Sequence, residues 1–166
     1  MGIKSNFHLM INHLEPVFKI LKHVYNDNMG KPIIPIAVDF DQTISKSFYP
    51  AVGDANEHAI DIMIEWQEKY NVGWILYTMR SDKNGTLAPA VKWLQEQGIK
   101  LYGIGYAPNQ EQWTSTNKPS SIFSIDDINI GTPMIYEDGR PPRVDWLAIK
   151  EILEPILKHI SEHGYH

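Results

Sequence analysis

Apolar residues along this chain form short continuous runs that alternate with longer stretches in which apolar residues recur every three or four positions. The continuous runs at residues 33–38, 71–77, 101–105, 121–125 and 134–136 predict β-strands, and the first strand is expected to begin after Pro35, which has no N–H for a central ladder. The three-to-four spacing predicts helices at residues 12–28, 54–70, 86–97 and 145–160. Strands that alternate with helices predict a parallel sheet covered on both faces.

The predicted fold class is therefore α/β, a Rossmann-like three-layer sandwich with a central, mostly parallel sheet. With 166 residues, 43% of them hydrophobic, the chain is long enough for one sizeable core and too short for two comfortable domains. A single domain over residues 1–166 is expected, and its parts are a helical extension at 1–30, a core at 33–136 and a closing helix at 145–160. Asp54 and Glu57 predict a capping box at the start of the second helix.

Composition narrows the functional classes. The chain has no cysteine, which excludes a disulfide framework and a thiolate metal site. No basic-then-apolar signal pattern follows Met1 and no run reaches membrane-spanning length, so a cytoplasmic location without membrane contact is expected. The formal net charge of −5 disfavours a dedicated nucleic-acid binder, although it leaves room for a local basic pocket.

Two carboxylates follow the first strand at positions i and i+2. Asp39 and Asp41 come directly after the apolar run, and Thr43 follows them. Ligand crevices of parallel sheets form at the carboxyl ends of the strands. Two carboxylates held close together repel each other, and a divalent cation such as Mg²⁺ removes that cost. The alternative is a strand that ends in an Asp-rich turn, where these side chains only cap a loop.

Polar residues also mark the ends of two later strands. Thr78 follows the second strand, and Asp126 and Asp127 follow the strand at 121–125. Lys118 lies in the loop just before that later strand. Each of these residues is unremarkable alone, but together, in this order, they form a strong pattern.

This order resembles the four motifs of the haloacid dehalogenase-like phosphohydrolase superfamily. The similar region runs from about residue 33 to 136, and the segments at 49–53, 77–80 and 125–131 are similar to small, poorly characterised bacterial and phage members. One departure is Gln42, where many members have glycine. The short segment between Thr43 and Thr78 has room for one loop, one helix and one strand, so the resemblance implies a member without a cap domain.

The resemblance also implies catalytic roles. Asp39 would be the nucleophile that forms an aspartyl-phosphate, and Asp41 would act as general acid and base. Thr78 would hold phosphoryl oxygens, and Lys118 would offset the charge of Asp39 and the phosphoryl group. Mg²⁺ would be held by the Asp39 carboxylate, the backbone carbonyl of Asp41 and the Asp127 carboxylate.

Three further residues complete the predicted site. Asp126 is expected to orient Lys118 or to take part in the metal site through a bound water. Thr43 and Arg80 are candidate substrate contacts, and for Arg80 an exposed loop arginine is an equally good interpretation. The sequence thus predicts a Mg²⁺-dependent phosphomonoesterase for a phosphorylated small molecule or a phosphorylated polymer end. The alternative is a non-catalytic phosphate- or partner-binding protein on the same fold.

Overall fold

The structure is a computed structural model, and it describes residues 32–46 and 48–164. The predicted helix at 12–28 and the extension at 1–30 lie outside the described residues. Four parallel strands form the central sheet: β1 (Ile34–Val38), β2 (Val72–Leu76), β3 (Leu101–Ile104) and β4 (Phe123–Ile125). Two short antiparallel strands form a separate pair: β5 (Met134–Ile135) and β6 (Arg143–Val144). The described residues also contain three α-helices: α1 (Ala59–Lys69), α2 (Leu87–Glu96) and α3 (Trp146–His163).

The sheet has the strand order β3-β2-β1-β4, with all neighbours parallel. All five residues of β1 and all five of β2 are buried, which explains why these strands appear in the sequence as continuous apolar runs. The predicted α/β class with a central, mostly parallel sheet is confirmed. The chain between β1 and β2 holds only a loop region and α1, so the prediction of a capless fold is also confirmed.

Three tryptophans form the centre of the core between the sheet and the helices. The ring of Trp74 from β2 stacks on that of Trp66 from α1 at 6.2 Å and meets Trp146 from α3 edge-on at 6.3 Å. The Trp146 indole N–H also donates a 2.7 Å hydrogen bond to the backbone carbonyl of Thr43. Helix α3 is therefore fixed to the first polar loop as well as to the core. None of the helices in the described ranges is both long and apolar enough to cross a membrane.

Helix α1 was predicted at residues 54–70 but begins at Ala59. The capping box predicted from Asp54 and Glu57 at its start is wrong. His58 precedes the helix in a left-handed conformation with φ 62°, and no side chain caps the first turn. Glu57 is instead paired with the buried Arg143 of β6, with 2.7 Å between its Oε2 and the arginine Nε. A long-range ion pair thus replaces the local cap, and sequence spacing did not reveal it because Arg143 lies far along the chain.

A buried asparagine organises the loop between β1 and α1. The Asn56 side-chain amide donates to the carbonyls of Thr43 at 3.0 Å and Val144 at 2.8 Å. Val144 also donates its backbone N–H to the carbonyl of Gln42 at 2.9 Å. The short strand β6, which periodicity did not predict, therefore braces the loop that carries the first motif.

Candidate active site

Backbone pairing places the three polar strand ends side by side. The Asp39 N–H donates to the Ile125 carbonyl at 3.0 Å, and the Tyr77 N–H donates to the Val38 carbonyl at 2.9 Å. Asp39 therefore lies between the ends of β4 and β2, next to the residues that follow those strands. This is the edge at which parallel sheets bind ligands.

Three carboxylates come together at this edge. One carboxylate oxygen from each of Asp39, Asp126 and Asp127 lies within 4.8 Å of the others, and all three side chains are half-buried. Burial first, and then the charges of Asp126, Asp127 and Asp41, together raise the pKa of Asp39 to about 7, against the lowering effect of a backbone hydrogen bond from Phe40. Burial, followed by a hydrogen bond shared with the Asp126 side chain, also raises the pKa of Asp127. Three hard oxygen donors with uncompensated negative charge fit a divalent cation such as Mg²⁺.

The Thr43 hydroxyl links two residues of this cluster, Asp39 and Asp127. It donates to the Asp39 Oδ2 at 3.4 Å and accepts a 3.2 Å hydrogen bond from the Asp127 backbone N–H. The residue is fully buried. Thr43 therefore positions the acidic cluster, and its prediction as a substrate contact is corrected because no part of it reaches the surface.

Gln42, which follows Asp41, has a backbone conformation that is uncommon for a residue other than glycine. Gln42 adopts φ 60°, in the left-handed region, and its N–H donates to the Ser45 carbonyl at 2.7 Å. A side chain in that region costs about 1 kcal/mol relative to glycine. The turn that follows Asp41 thus has the conformation that favours glycine, and this chain forms the same turn with glutamine.

Asp41 faces an arginine and not the acidic cluster. Its two carboxylate oxygens accept hydrogen bonds from Nε and Nη2 of Arg80, both at 2.8 Å, in a bidentate pair. Only 3% of Arg80 is exposed. Arg80 was expected either to contact the substrate or to be an exposed loop residue. Neither expectation is met, because its side chain is buried against the carboxylate of Asp41.

The remaining N–H groups of Arg80 are also occupied. Nη1 donates to the carbonyls of Pro50 at 3.0 Å and Thr86 at 3.4 Å, and Nη2 donates to that of Ala51 at 2.8 Å. A guanidinium has five N–H donors, and the five hydrogen bonds use all of them. Arg80 therefore has no donor left for a substrate phosphate in this arrangement.

Thr78 follows the end of β2 and is bonded to the backbone of Arg80. Its hydroxyl oxygen accepts a 3.2 Å hydrogen bond from the Arg80 backbone N–H, and the residue is half-buried. A hydroxyl that accepts one bond still has its own proton to donate. The geometry is compatible with a Thr78 hydroxyl that binds a phosphoryl oxygen.

Lys118 is fixed through a hydrogen bond to its backbone carbonyl, and among the described residues its ammonium group takes no part in fixing it. The side-chain amide of the buried Gln110 donates to the Lys118 carbonyl at 2.7 Å, and its oxygen accepts from Ser120 at 2.8 Å and Ala107 at 3.1 Å. The Lys118 side chain is exposed and forms no ion pair within the described ranges. The predicted contact with Asp39 is not made here. Gln110 itself carried no signal in a polar loop sequence.

Comparison with known proteins adds a structural relative. No known family model matches the chain, and no functionally curated protein matches it. A solved structure from Bacteroides thetaiotaomicron, described as a conserved protein, is similar with a TM-score of 0.59 and 26% sequence identity. The match covers 79% of this chain and 98% of that one. The likeness supports the fold and names no activity.

The raised pKa of Asp39 leads to a prediction about stability without metal. The folded protein holds this proton up to pH 7, whereas the unfolded chain loses it near pH 3.8. The folded state therefore binds more protons between these values, and stability falls as the pH rises through that window. Asp39→Asn removes the effect, so in a chelator the variant should melt roughly 5 °C above the natural protein at pH 8.

Thermal unfolding of both proteins from pH 4 to 8 in the presence of EDTA would check this. The two melting temperatures should converge at pH 4, where the carboxyl group of the natural protein is protonated in the folded state. A difference that stays constant across the pH range would contradict the assignment to Asp39.

Proposed function

We propose that this protein is a Mg²⁺-dependent phosphomonoesterase of the haloacid dehalogenase-like type, which acts through an aspartyl-phosphate on Asp39. The observation that carries the proposal is the division of the carboxylates at the carboxyl edge of the sheet. Asp39, Asp126 and Asp127 converge within 4.8 Å, whereas Asp41 is turned toward Arg80. A cation site beside a separately held acid is what phosphoryl transfer requires.

Each residue would have a distinct task. Asp39 attacks the phosphorus as the bond to the leaving oxygen breaks, and Asp41 gives its proton to that oxygen. Water then attacks the phosphorus of the aspartyl-phosphate, Asp41 takes the proton back, and inorganic phosphate is released. Asp39, Asp127, Asp126 and the Asp41 backbone carbonyl would hold Mg²⁺, which would neutralise the charge of the phosphoryl group. Thr78 would donate a hydrogen bond to a phosphoryl oxygen.

Asp41 must change its hydrogen bonds to act as an acid. Both of its oxygens accept from Arg80 in the structure, so proton donation requires at least one of these bonds to open. The Asp41 side chain is one-quarter exposed, which leaves it accessible from the open edge of the sheet. The pair therefore represents the resting arrangement of the proposed enzyme.

The open site supports a broad class of substrates. The segment between β1 and β2 contains no cap, so little protein is available to enclose a small molecule. The proposed substrate is a phosphorylated small molecule or a phosphorylated polymer end in the cytoplasm. Nucleic acid is the less favoured polymer because the formal net charge is −5.

Hydrolysis of 4-nitrophenyl phosphate tests the proposal directly. We expect phosphate release that requires Mg²⁺, stops when EDTA is added and returns when Mg²⁺ is restored in excess. Ca²⁺ is a useful comparison, because its longer bonds and flexible coordination suit an in-line transfer less well. Hydrolysis that EDTA leaves unchanged would contradict the metal-dependent mechanism.

A non-catalytic phosphate- or partner-binding protein is the second candidate. The positions of the two cationic side chains favour it. All N–H donors of Arg80 are already used in hydrogen bonds, and Lys118 is not paired with Asp39. Such a protein would bind inorganic phosphate in a calorimetric titration with Mg²⁺ present, without turnover of any ester. Turnover of the aryl ester would exclude it.

A further inference from the structure

Arg80 lies in an enclosed setting that a loop arginine rarely has. Its guanidinium carbon is 4.8 Å from the ring centre of the buried Phe40 and 5.4 Å from that of the half-exposed Tyr49. Two aromatic faces thus lie within cation–π range, while the five N–H groups are used by Asp41 and three carbonyls. The guanidinium has one defined position.

Arg80 forms hydrogen bonds to three segments of the site: the first motif, the second motif and the loop that follows the first motif. The bidentate pair holds the first motif through Asp41, and the Arg80 backbone N–H holds the second motif through the Thr78 hydroxyl. The bonds to Pro50 and Ala51 hold the loop that follows the first motif. A second contact fixes this loop, because the Asn84 amide donates to the Tyr49 hydroxyl at 3.0 Å.

The pairing also separates two chemically identical side chains. Asp39 and Asp41 are only two residues apart, and the charge of Asp41 adds to that of the acidic cluster around Asp39. A carboxylate without a fixed partner would be drawn to any cation held by that cluster. A planar, bidentate partner fixes the direction of the carboxylate as well as balancing its charge.

We propose that Arg80 is a positioning residue that keeps the Asp41 carboxylate apart from the metal cluster, so that Asp41 can protonate the leaving group once one of its hydrogen bonds to Arg80 opens. This inference rests on the proposed phosphomonoesterase function. No hydrogen bond joins the Arg80 guanidinium to the three clustered carboxylates, and in the proposed role the guanidinium acts through the Asp41 carboxylate. Lysine cannot replace it, because an ammonium group lacks the planar pair of donors that orients the carboxylate.

The test compares two esters that differ in their need for a proton. Glycerol 2-phosphate has an alkoxide leaving group that must be protonated, whereas 4-nitrophenyl phosphate has a leaving group that departs without help. Arg80→Lys should lower kcat/KM for the alkyl ester about tenfold or more beyond any loss for the aryl ester. Asp41→Asn should show a selective loss in the same direction. The double variant should lose no further selectivity, because Arg80 acts through Asp41.

Arg143→Lys is the matched control. Arg143 is also a buried arginine paired with a carboxylate, Glu57, but it does not contact Asp41. Its loss should lower thermal stability while leaving the alkyl-to-aryl ratio at the natural value. Tyr49→Leu is a milder second variant should Arg80→Lys fail to fold, since it uncovers the guanidinium without changing its charge and should lower the ratio in the same direction.

The outcomes separate this inference from the proposed function. A natural protein that hydrolyses neither ester with Mg²⁺ overturns the proposed function and the inference together. An active natural protein whose Arg80→Lys variant keeps the natural ratio shows a purely structural arginine and overturns the inference alone. An equal loss on both esters, with weaker inhibition by inorganic phosphate, would show direct phosphate binding and also overturns it.

Discussion

Asp39→Asn should lower turnover of 4-nitrophenyl phosphate by roughly a thousandfold or more at saturating Mg²⁺. The amide cannot form the aspartyl-phosphate, so the substitution removes a covalent step and does not merely weaken a contact. Asparagine has nearly the shape of aspartate, and the Thr43 hydroxyl that donates to Asp39 Oδ2 still has an oxygen to bond. The loss should therefore appear in a folded protein, measured as kcat in steady-state kinetics.

Asp138→Asn provides the control for this change. Asp138 lies in an exposed turn after β5 and is not part of the carboxylate cluster, so the same substitution there should leave kcat unchanged. If the Asp39→Asn variant kept activity close to that of the natural protein, the nucleophile would have to be another residue. Trapping of a phosphorylated residue from acid-quenched natural protein would identify it.

Asp127→Asn should raise the Mg²⁺ concentration needed for half-maximal activity by about a hundredfold or more. Mutation of residues that only hydrogen-bond to metal ligands already lowers metal affinity roughly 10–100-fold, and Asp127 is proposed to be a ligand itself. Its backbone N–H still donates to Thr43, so the fold of the loop should survive. Asp126→Asn should have a smaller effect on metal affinity. One oxygen of Asp126 already accepts a 3.0 Å hydrogen bond from the Ile128 N–H, which makes Asp126 a turn-forming residue as well as a member of the cluster.

Calorimetric titration with Mg²⁺ would compare the two variants without relying on activity. A larger loss of affinity in Asp126→Asn than in Asp127→Asn would reverse the assignment and make Asp126 the main ligand. Equal binding in both variants and in the natural protein would show that neither carboxylate holds the cation.

Several features of the site were predictable because they depend on local sequence. A continuous apolar run predicts a buried parallel strand, and the residue that follows such a strand lies at the carboxyl edge of the sheet. That reasoning predicted that Asp39, Thr78, Asp126 and Asp127 lie at this edge, and the structure brings the carboxylates of Asp39, Asp126 and Asp127 together.

The direction of side chains was not predictable in the same way. Arg80 was expected either to bind substrate or to be exposed, and the structure buries it between Phe40 and Tyr49 with Asp41 as its partner. Glu57 was expected to cap a helix and pairs with Arg143 instead. In both cases the partner is distant in sequence.

Buried amides were missed for the same reason. Asn56 joins the carbonyls of Thr43 and Val144, and Gln110 fixes the backbone of Lys118. Neither residue stands out from the polar loop around it. Their importance comes from burial, since a buried amide must satisfy its donors and acceptor with partners that the fold brings to it.

The sequence by itself determined the parallel strands, the capless spacing and the set of acidic residues at one edge, because these follow from apolar periodicity and from residues next to strand ends. Only the tertiary structure decided which of the four aspartates converge and which one is held apart by Arg80. It also decided that Thr43 is buried while Lys118 is exposed. The positions of the strands along the chain are encoded locally, whereas ion pairs and buried hydrogen bonds depend on groups that meet only when the chain has folded.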